Sequence, residues 1–295
     1  MGRPVLLALC VFFALCGAAS NATGTVLQRK AALRVPPDDA MKLRLLVDMV
    51  HQSVWLLGIC AVAGAALFQA LALVTGPLAL AQPVFVLELP FALLIAMPVL
   101  HRTMAPSGWI AVGCMVLGLA LALGSAAPGG GTVQAPLTRW VPAVAAVGGL
   151  VAATVAMSLR RHSGAARAAL LGLGAAAANA LTAAMMKSAA NTFSDHGAGA
   201  FLAAWQTYGF VVCGITAVFL LENSLQAGSI AASQPALTLG DAGISLALGL
   251  TIYAEHIRTG WWVLPELIGV AFVAGGTFYL SQAVSLTREL AAGDH

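Results

Sequence analysis

Long apolar runs alternate with short polar breaks along this chain, and the spacing of the breaks predicts helices that cross a lipid bilayer. One helical crossing takes about 20 mainly apolar residues. Runs bounded by charges or by Pro and Gly give nine such segments, roughly 5–27, 54–75, 77–99, 107–125, 140–158, 167–187, 201–221, 228–252 and 263–284. The fold class is therefore all-α, a polytopic membrane protein of about nine transmembrane helices. The breaks after the second and seventh runs are short. The stretch 126–138, with Pro128 and Gly129-Gly130-Gly131, reads as the flexible linker. Between the first two runs, Pro36-Pro37-Asp38-Asp39 is helix-start chemistry. Met41, Leu45, Leu46 and Met49 follow near helical spacing, interleaved with Lys42, Arg44 and Asp48. The segment 40–52 is either a short helix on the membrane surface or an extension of the second run.

The polar positions inside the apolar runs repeat. Gly76-Pro-Leu-Ala-Leu-Ala-Gln82-Pro83 returns as Gly228-Ser-Ile-Ala-Ala-Ser-Gln234-Pro235, and a carboxylate follows each copy, Glu88 and Asp241. Asn21-Ala-Thr-Gly-Thr-Val-Leu-Gln-Arg29-Lys-Ala31-Ala32 matches Asn179-Ala-Leu-Thr-Ala-Ala-Met-Met-Lys187-Ser-Ala189-Ala190. Spans one to four thus correspond to spans six to nine. Partners lie five spans apart, an odd number, so the two copies cross in opposite directions. This predicts two inverted repeats of five plus four helices, 1–158 and 159–295, within one membrane domain. The second match also bears on the N-terminus. Arg3, the run from Val5 to Leu15 and Ala18-Ala19-Ser20 imitate a cleavable signal peptide. A disposable leader has no reason to recur inside the mature chain, so this run reads as the first span.

Composition narrows the function. Hydrophobic residues make up 60% of the chain and charged residues 8%, too few charges to cover a water-facing surface. The net charge of +3 is small and the basic residues fall in the breaks, which gives nucleic-acid binding no support. Ten basic residues (Arg29, Lys30, Arg34, Lys42, Arg44, Arg102, Arg160, Arg161, Arg167 and Arg288) fall on one side of the membrane. Four (Arg3, Arg139, Lys187 and Arg258) fall on the other. The richer side is cytoplasmic, so the expected placement is the cell membrane with the N-terminus outside and the C-terminus inside. Cys10, Cys16, Cys60, Cys114 and Cys213 lie within apolar runs and read as packing residues. Trp55, Trp109, Trp140, Trp205, Trp261 and Trp262 lie near span ends, as an interfacial belt requires. Gly113, Gly118, Gly269, Gly275 and Gly276 suit close helix packing. No nucleophile–base pair, phosphate loop or His/Cys metal cluster is visible. His51, His101, His162, His196, His256 and His295 fall outside the runs. The chain does not read as an enzyme, and no cofactor is implied.

The candidate transport residues are the polar groups that lipid penalises. Gln234, Thr238, Asp241 and Ser245 fall at i, i+4, i+7 and i+11, a polar stripe on one face of the eighth span. A charge at the bilayer centre costs about 2.5–3.5 kcal/mol on insertion scales. Asp241 therefore reads as a binding or proton-coupling group, or else as a structural acid held between helices. Glu88 is equally costly, although the repeat aligns it with Gly240 and leaves the two acids one residue out of register. Gln82 is the first-half counterpart of Gln234. Asn21 and Asn179 suit either interhelical hydrogen bonds or solute contacts, and Gln69 is a further candidate. Pro83, Pro90 and Pro235 each free a carbonyl four residues earlier, for a neighbouring helix or for a cation to use. Glu222, at a span boundary, is expected to face solvent.

In their order these features resemble the drug/metabolite transporter superfamily, in its EamA-like group. The resemblance covers most of both halves. It rests on Phe68-Gln-Ala-Leu-Ala-Leu73, the two Gly-x5-Gln-Pro copies, Arg102 through Trp109-x3-Gly113, and Trp55-Leu-Leu-Gly58 after the basic loop. Tyr253-Ala-Glu255-His-Ile-Arg258, with Gly269 and Gly275 beyond it, looks like the family's Gly-Glu-Arg turn and closing glycine-rich helix. His101-Arg102 in the first half lacks that glutamate. The resemblance implies helices in inverted halves around a central cavity, and export of amino acids, metabolites or drugs by exchange or proton coupling. Nine spans are similar to the NIPA-type branch assigned to magnesium uptake, whose first helix also ends in a basic pair like Arg29-Lys30. The expected function is a secondary transporter of a small solute working by alternating access. A divalent-cation carrier and a non-transporting scaffold are the alternatives. The metal question, the substrate and whether the chain works as a homodimer stay open.

Overall fold

The apolar runs are helices in the computed structural model, which describes residues 2–32, 52–100, 104–161, 163–228 and 230–293. Outside these lie Arg34, Lys42, Arg44, Arg102, His51, His101, His162, His295 and, apart from Gln52, the expected surface helix. The elements are α1 (Arg3–Ala32), α2 (Ser53–Thr75), α3 (Leu78–Val84), α4 (Glu88–Leu100), α5 (Pro106–Ala126), α6 (Leu137–Leu159), α7 (Ala165–Ala203), α8 (Trp205–Ala227), α9 (Ile230–Thr251) and α10 (Val263–Gly293). Two short strands, β1 (Gly129–Gly130) and β2 (Glu255–His256), pair antiparallel, with Gly129 opposite His256 and Gly130 opposite Glu255. The described residues are otherwise almost all helical. Among the described residues, 8 segments are long and apolar enough to cross a membrane. α9 has the length of a crossing, 22 residues, but its Gln, Thr, Asp and Ser stripe makes it less apolar than the rest.

The third crossing is built from pieces. Gly76 and Pro77 separate α2 from α3, and a 3₁₀ turn over Phe85–Leu87 separates α3 from α4. Pro83 lies just before that turn and cannot donate to Ala79. Pro90 lies in the first turn of α4, where amide hydrogens have no intrahelical acceptor to lose. Glu88 is the first residue of α4. A helix start is a favourable place for a negative charge.

α7 is the central helix, packed against α6, α8 and α9. Its alanines at 175, 176, 177, 180 and 184 are fully buried, because small side chains let helix backbones approach closely. α1 packs on α2 and α4, α3 on α9, and α5 on α10. At the α5–α10 contact a Cβ on Gly118 or Gly269 would strike the backbone of the other helix, and one on Gly276 would strike Met115. Gly113 and Gly275, expected in the same role, have no neighbour there.

Trp140 departs from the expected belt. It is buried, edge-on to Trp205 at 5.3 Å and to Tyr253 at 6.1 Å between ring centres. Trp109, Trp205, Trp261 and Trp262 are exposed near helix ends as expected.

The stretch expected to be a flexible linker is pinned. Besides the β1–β2 pairing, Thr132 N donates to Tyr253 O at 2.7 Å. Gln134 Nε2 donates to Ser188 O at 3.1 Å, and Arg258 N donates to Ala126 O at 2.8 Å. Gly131 has φ +96°, and a Cβ there would meet Glu255 and the Tyr253 carbonyl, so glycine is required. These contacts gather the start of α1, the α2–α3 break, the α5–α6 loop and the α9–α10 loop at one end of the bundle. At the opposite end Gly164 N donates to Ala227 O at 2.8 Å, joining the α6–α7 and α8–α9 loops. α9 runs between these two ends.

Candidate functional site

Two carboxylates lie among the helices at mid-length, and each is held by an asparagine. On α9, Asp241 Oδ2 accepts from Asn179 Nδ2 of α7 at 3.1 Å. Its Oδ1 accepts from Ser245 Oγ, one turn on, at a long 3.4 Å. At the start of α4, the Glu88 carboxylate is hydrogen-bonded by the Asn21 side chain of α1. Glu88 also lies close enough to Asp241 for their charges to repel. Both acids are half-buried. The two asparagines are those that the sequence repeat aligns.

The rest of the stripe flanks this centre. Gln234 and Thr238 are half-buried on the same face of α9, toward its start. Pro235 interrupts the amide ladder between them, inside α9. Gln82 is buried on α3, and its Nε2 has no hydrogen-bond partner among the described residues. Gln69 is half-buried on α2, a helix without extensive packing against α4 or α9, so the fold does not bring it to the acids. Glu222 is exposed on α8, as expected.

A second polar cluster closes the end of the bundle where α1 begins. Lys187, counted from sequence as a loop charge, lies within α7, which stays helical beyond it up to a kink at Gly197 (φ +78°). Its Nζ donates to Glu255 Oε1 at 2.6 Å and to Gly76 O at 3.1 Å, and sits 4.8 Å from the centre of the Tyr253 ring. Glu255 also accepts from Leu78 N on Oε1 at 2.6 Å and from Ala79 N on Oε2 at 2.8 Å. These are amide hydrogens that the start of α3 leaves without an intrahelical acceptor. The two side chains are 8% and 0% exposed. Burial and the Glu255 charge push the Tyr253 phenol above its usual range, so it stays protonated and donates to Ala184 O at 2.6 Å. A Cβ on Gly249 would strike the Glu255 carboxylate.

Sequence reading missed this cluster, although two signals pointed to it. Lys187 occupies the repeat position of Arg29 in an alanine-rich run, and Gly76-Pro77 exposes amide hydrogens within the membrane domain. Beside the cluster an open cavity of about 700 Å³ is lined by Gly76, Pro77, Gly129, Lys187, Asn191 and Arg258, among others.

A protein of Corynebacterium glutamicum, itself uncharacterised, is 29% identical to this chain over 295 residues, and the match covers 97% of each. No family model matches the chain, and no solved structure matches it.

Proposed function

We propose that this chain is a secondary transporter of the drug/metabolite type that moves a small solute across the cell membrane by alternating access. One observation carries the reading: two asparagines aligned by the sequence repeat each hold a carboxylate at mid-helix depth. Intramembrane acids are costly and mark ion or substrate pathways, and transporter sites of this kind form near the midplane between repeats. Among the described residues, the hydrogen bonds to these acids come from neutral amides and a hydroxyl, not from a base. Such acids suit a proton or a positively charged group of the solute.

The five-plus-four inverted arrangement draws support from packing. α1 meets α2 and α4 as α7 meets α8 and α9, while α3 meets α9 and α5 meets α10 across the halves. α9 acts as the eighth of nine crossings, its polar stripe turned to the pathway. The excess of basic residues on one side supports an N-terminus outside and a C-terminus inside.

The test is reconstitution in liposomes containing a pH dye, challenged with amino acids, cationic drugs and magnesium. A proton flux specific to one solute, reduced at least tenfold in Asp241→Asn and in Glu88→Gln, is the expected result. Magnesium entry without proton movement would replace this reading with a divalent-cation carrier. Solute flux that survives both substitutions would remove the acids from the mechanism.

A further inference from the structure

The two acids of the proposed site sit on elements that are tied together at one place outside it. Glu88 begins α4, which reaches the end of the bundle through the 3₁₀ turn and α3. Asp241 lies on α9, which reaches the same end and leads into Glu255 of β2. There Glu255 accepts from Leu78 N and Ala79 N at the start of α3, and Lys187 of α7 bonds both Glu255 and Gly76 O. One carboxylate thus fastens the element carrying Asp241 to the element carrying Glu88, and one ammonium fastens both to the central helix. The open cavity reaches Gly76, Pro77 and Lys187 from outside. The α2–α3 break is packed by Cys10, which is 0% exposed and occupies the space that a side chain at position 76 would need.

We propose that the Lys187–Glu255 pair is a gate, closed in this structure, that parts when the Glu88–Asp241 site opens toward this end. Its use in transport rests on the reading above; its opening does not. Every bond in the cluster has a replacement in water, and the open cavity reaches its edge. The bonds join separate elements, so parting them lets α3 and β2 move apart without unwinding a helix. In the proposed orientation this end is the outer one.

The native Cys10 thiol reports on the gate. In a chain carrying Cys16→Ala, Cys60→Ala, Cys114→Ala and Cys213→Ala, a membrane-impermeant maleimide should label Cys10 slowly. Glu255→Gln should raise the labelling rate at least tenfold. Lys187→Met combined with Glu255→Gln should do the same; it leaves no charge unpaired and decides the matter if Glu255→Gln alone no longer melts cooperatively. Asp241→Asn, remote from the gate, should shift the rate at least threefold, because gate and site move together. An unchanged rate in cooperatively melting gate variants would overturn the proposal. So would a rate that Asp241→Asn leaves alone, which makes the pair a static clamp. Cys10 labelling needs no flux, so coupled labelling in a protein silent toward every solute would keep the gate and reject the transport reading.

Discussion

The acids at mid-helix and the acid at the bundle end are held by different chemistry. Glu255 is fully buried, with an ammonium and two backbone amides on its two oxygens. Glu88 and Asp241 are half-buried, and the contacts that hold them come from asparagine amides and a serine hydroxyl. A carboxylate matched by a cation has its charge settled by the protein. One matched only by dipoles leaves the charge for something that comes and goes. The first arrangement joins elements, and the second is the one the proposed function uses for binding.

The largest effect that would break this contrast is on stability. Lys187→Met leaves Glu255 charged, buried and without its cation, which costs about 3–5 kcal/mol. The measurement is thermal or denaturant unfolding in detergent. Adding Glu255→Gln removes the stranded charge, and the introduced amide oxygen still accepts from the start of α3. The pair of changes should therefore recover more than half of the loss. A double variant as unstable as Lys187→Met alone would mean that packing, not charge, sets the strength of the cluster.

Asp241→Asn should separate from that behaviour in the same measurement. It removes a charge and keeps the shape, and Asn179 can turn its amide to present an acceptor or a donor. Its unfolding midpoint should stay within the equivalent of about 1 kcal/mol, the scale of one interhelical hydrogen bond, even as flux collapses. A loss as large as that of Lys187→Met would make Asp241 a structural acid.

The parts of the molecule legible in sequence are those governed by local pattern. The positions of most helices, the Gly76-Pro77 break, the stripe on α9 and the pairing of Asn21 with Asn179 all follow from residue order. Lys187 was illegible because a hydropathy count ends a span at its first charge. The partner that lets α7 continue, Glu255, lies far along the chain and reaches it only through the fold. The stretch 126–138 misled for a related reason. Its glycines permit many conformations in an unfolded chain, but Gly131 is there because Glu255 and the Tyr253 carbonyl leave no room for a side chain. Trp140 sits near a helix end, where tryptophan usually meets the lipid interface; here Trp205 and Tyr253 cover it. In each case the deciding neighbour is remote in sequence.

Asn21→Ala and Asn179→Ala sharpen the comparison further. Each should lower stability by about 0.6 kcal/mol, the average for a hydrogen bond between membrane helices, and both should weaken solute-dependent flux. The smallest effect belongs to Ser245→Ala. Ser245 belongs to the expected stripe and is fully buried, yet its bond to Asp241 is 3.4 Å long, beyond the usual 2.5–3.0 Å for a hydroxyl donor. The change replaces a hydroxyl with hydrogen at a position where little energy is at stake. Stability should move by less than about 0.5 kcal/mol, and flux should stay within twofold. A larger loss of flux with stability unchanged would mean that Ser245 meets the solute itself, extending the site from Asp241 toward the gate.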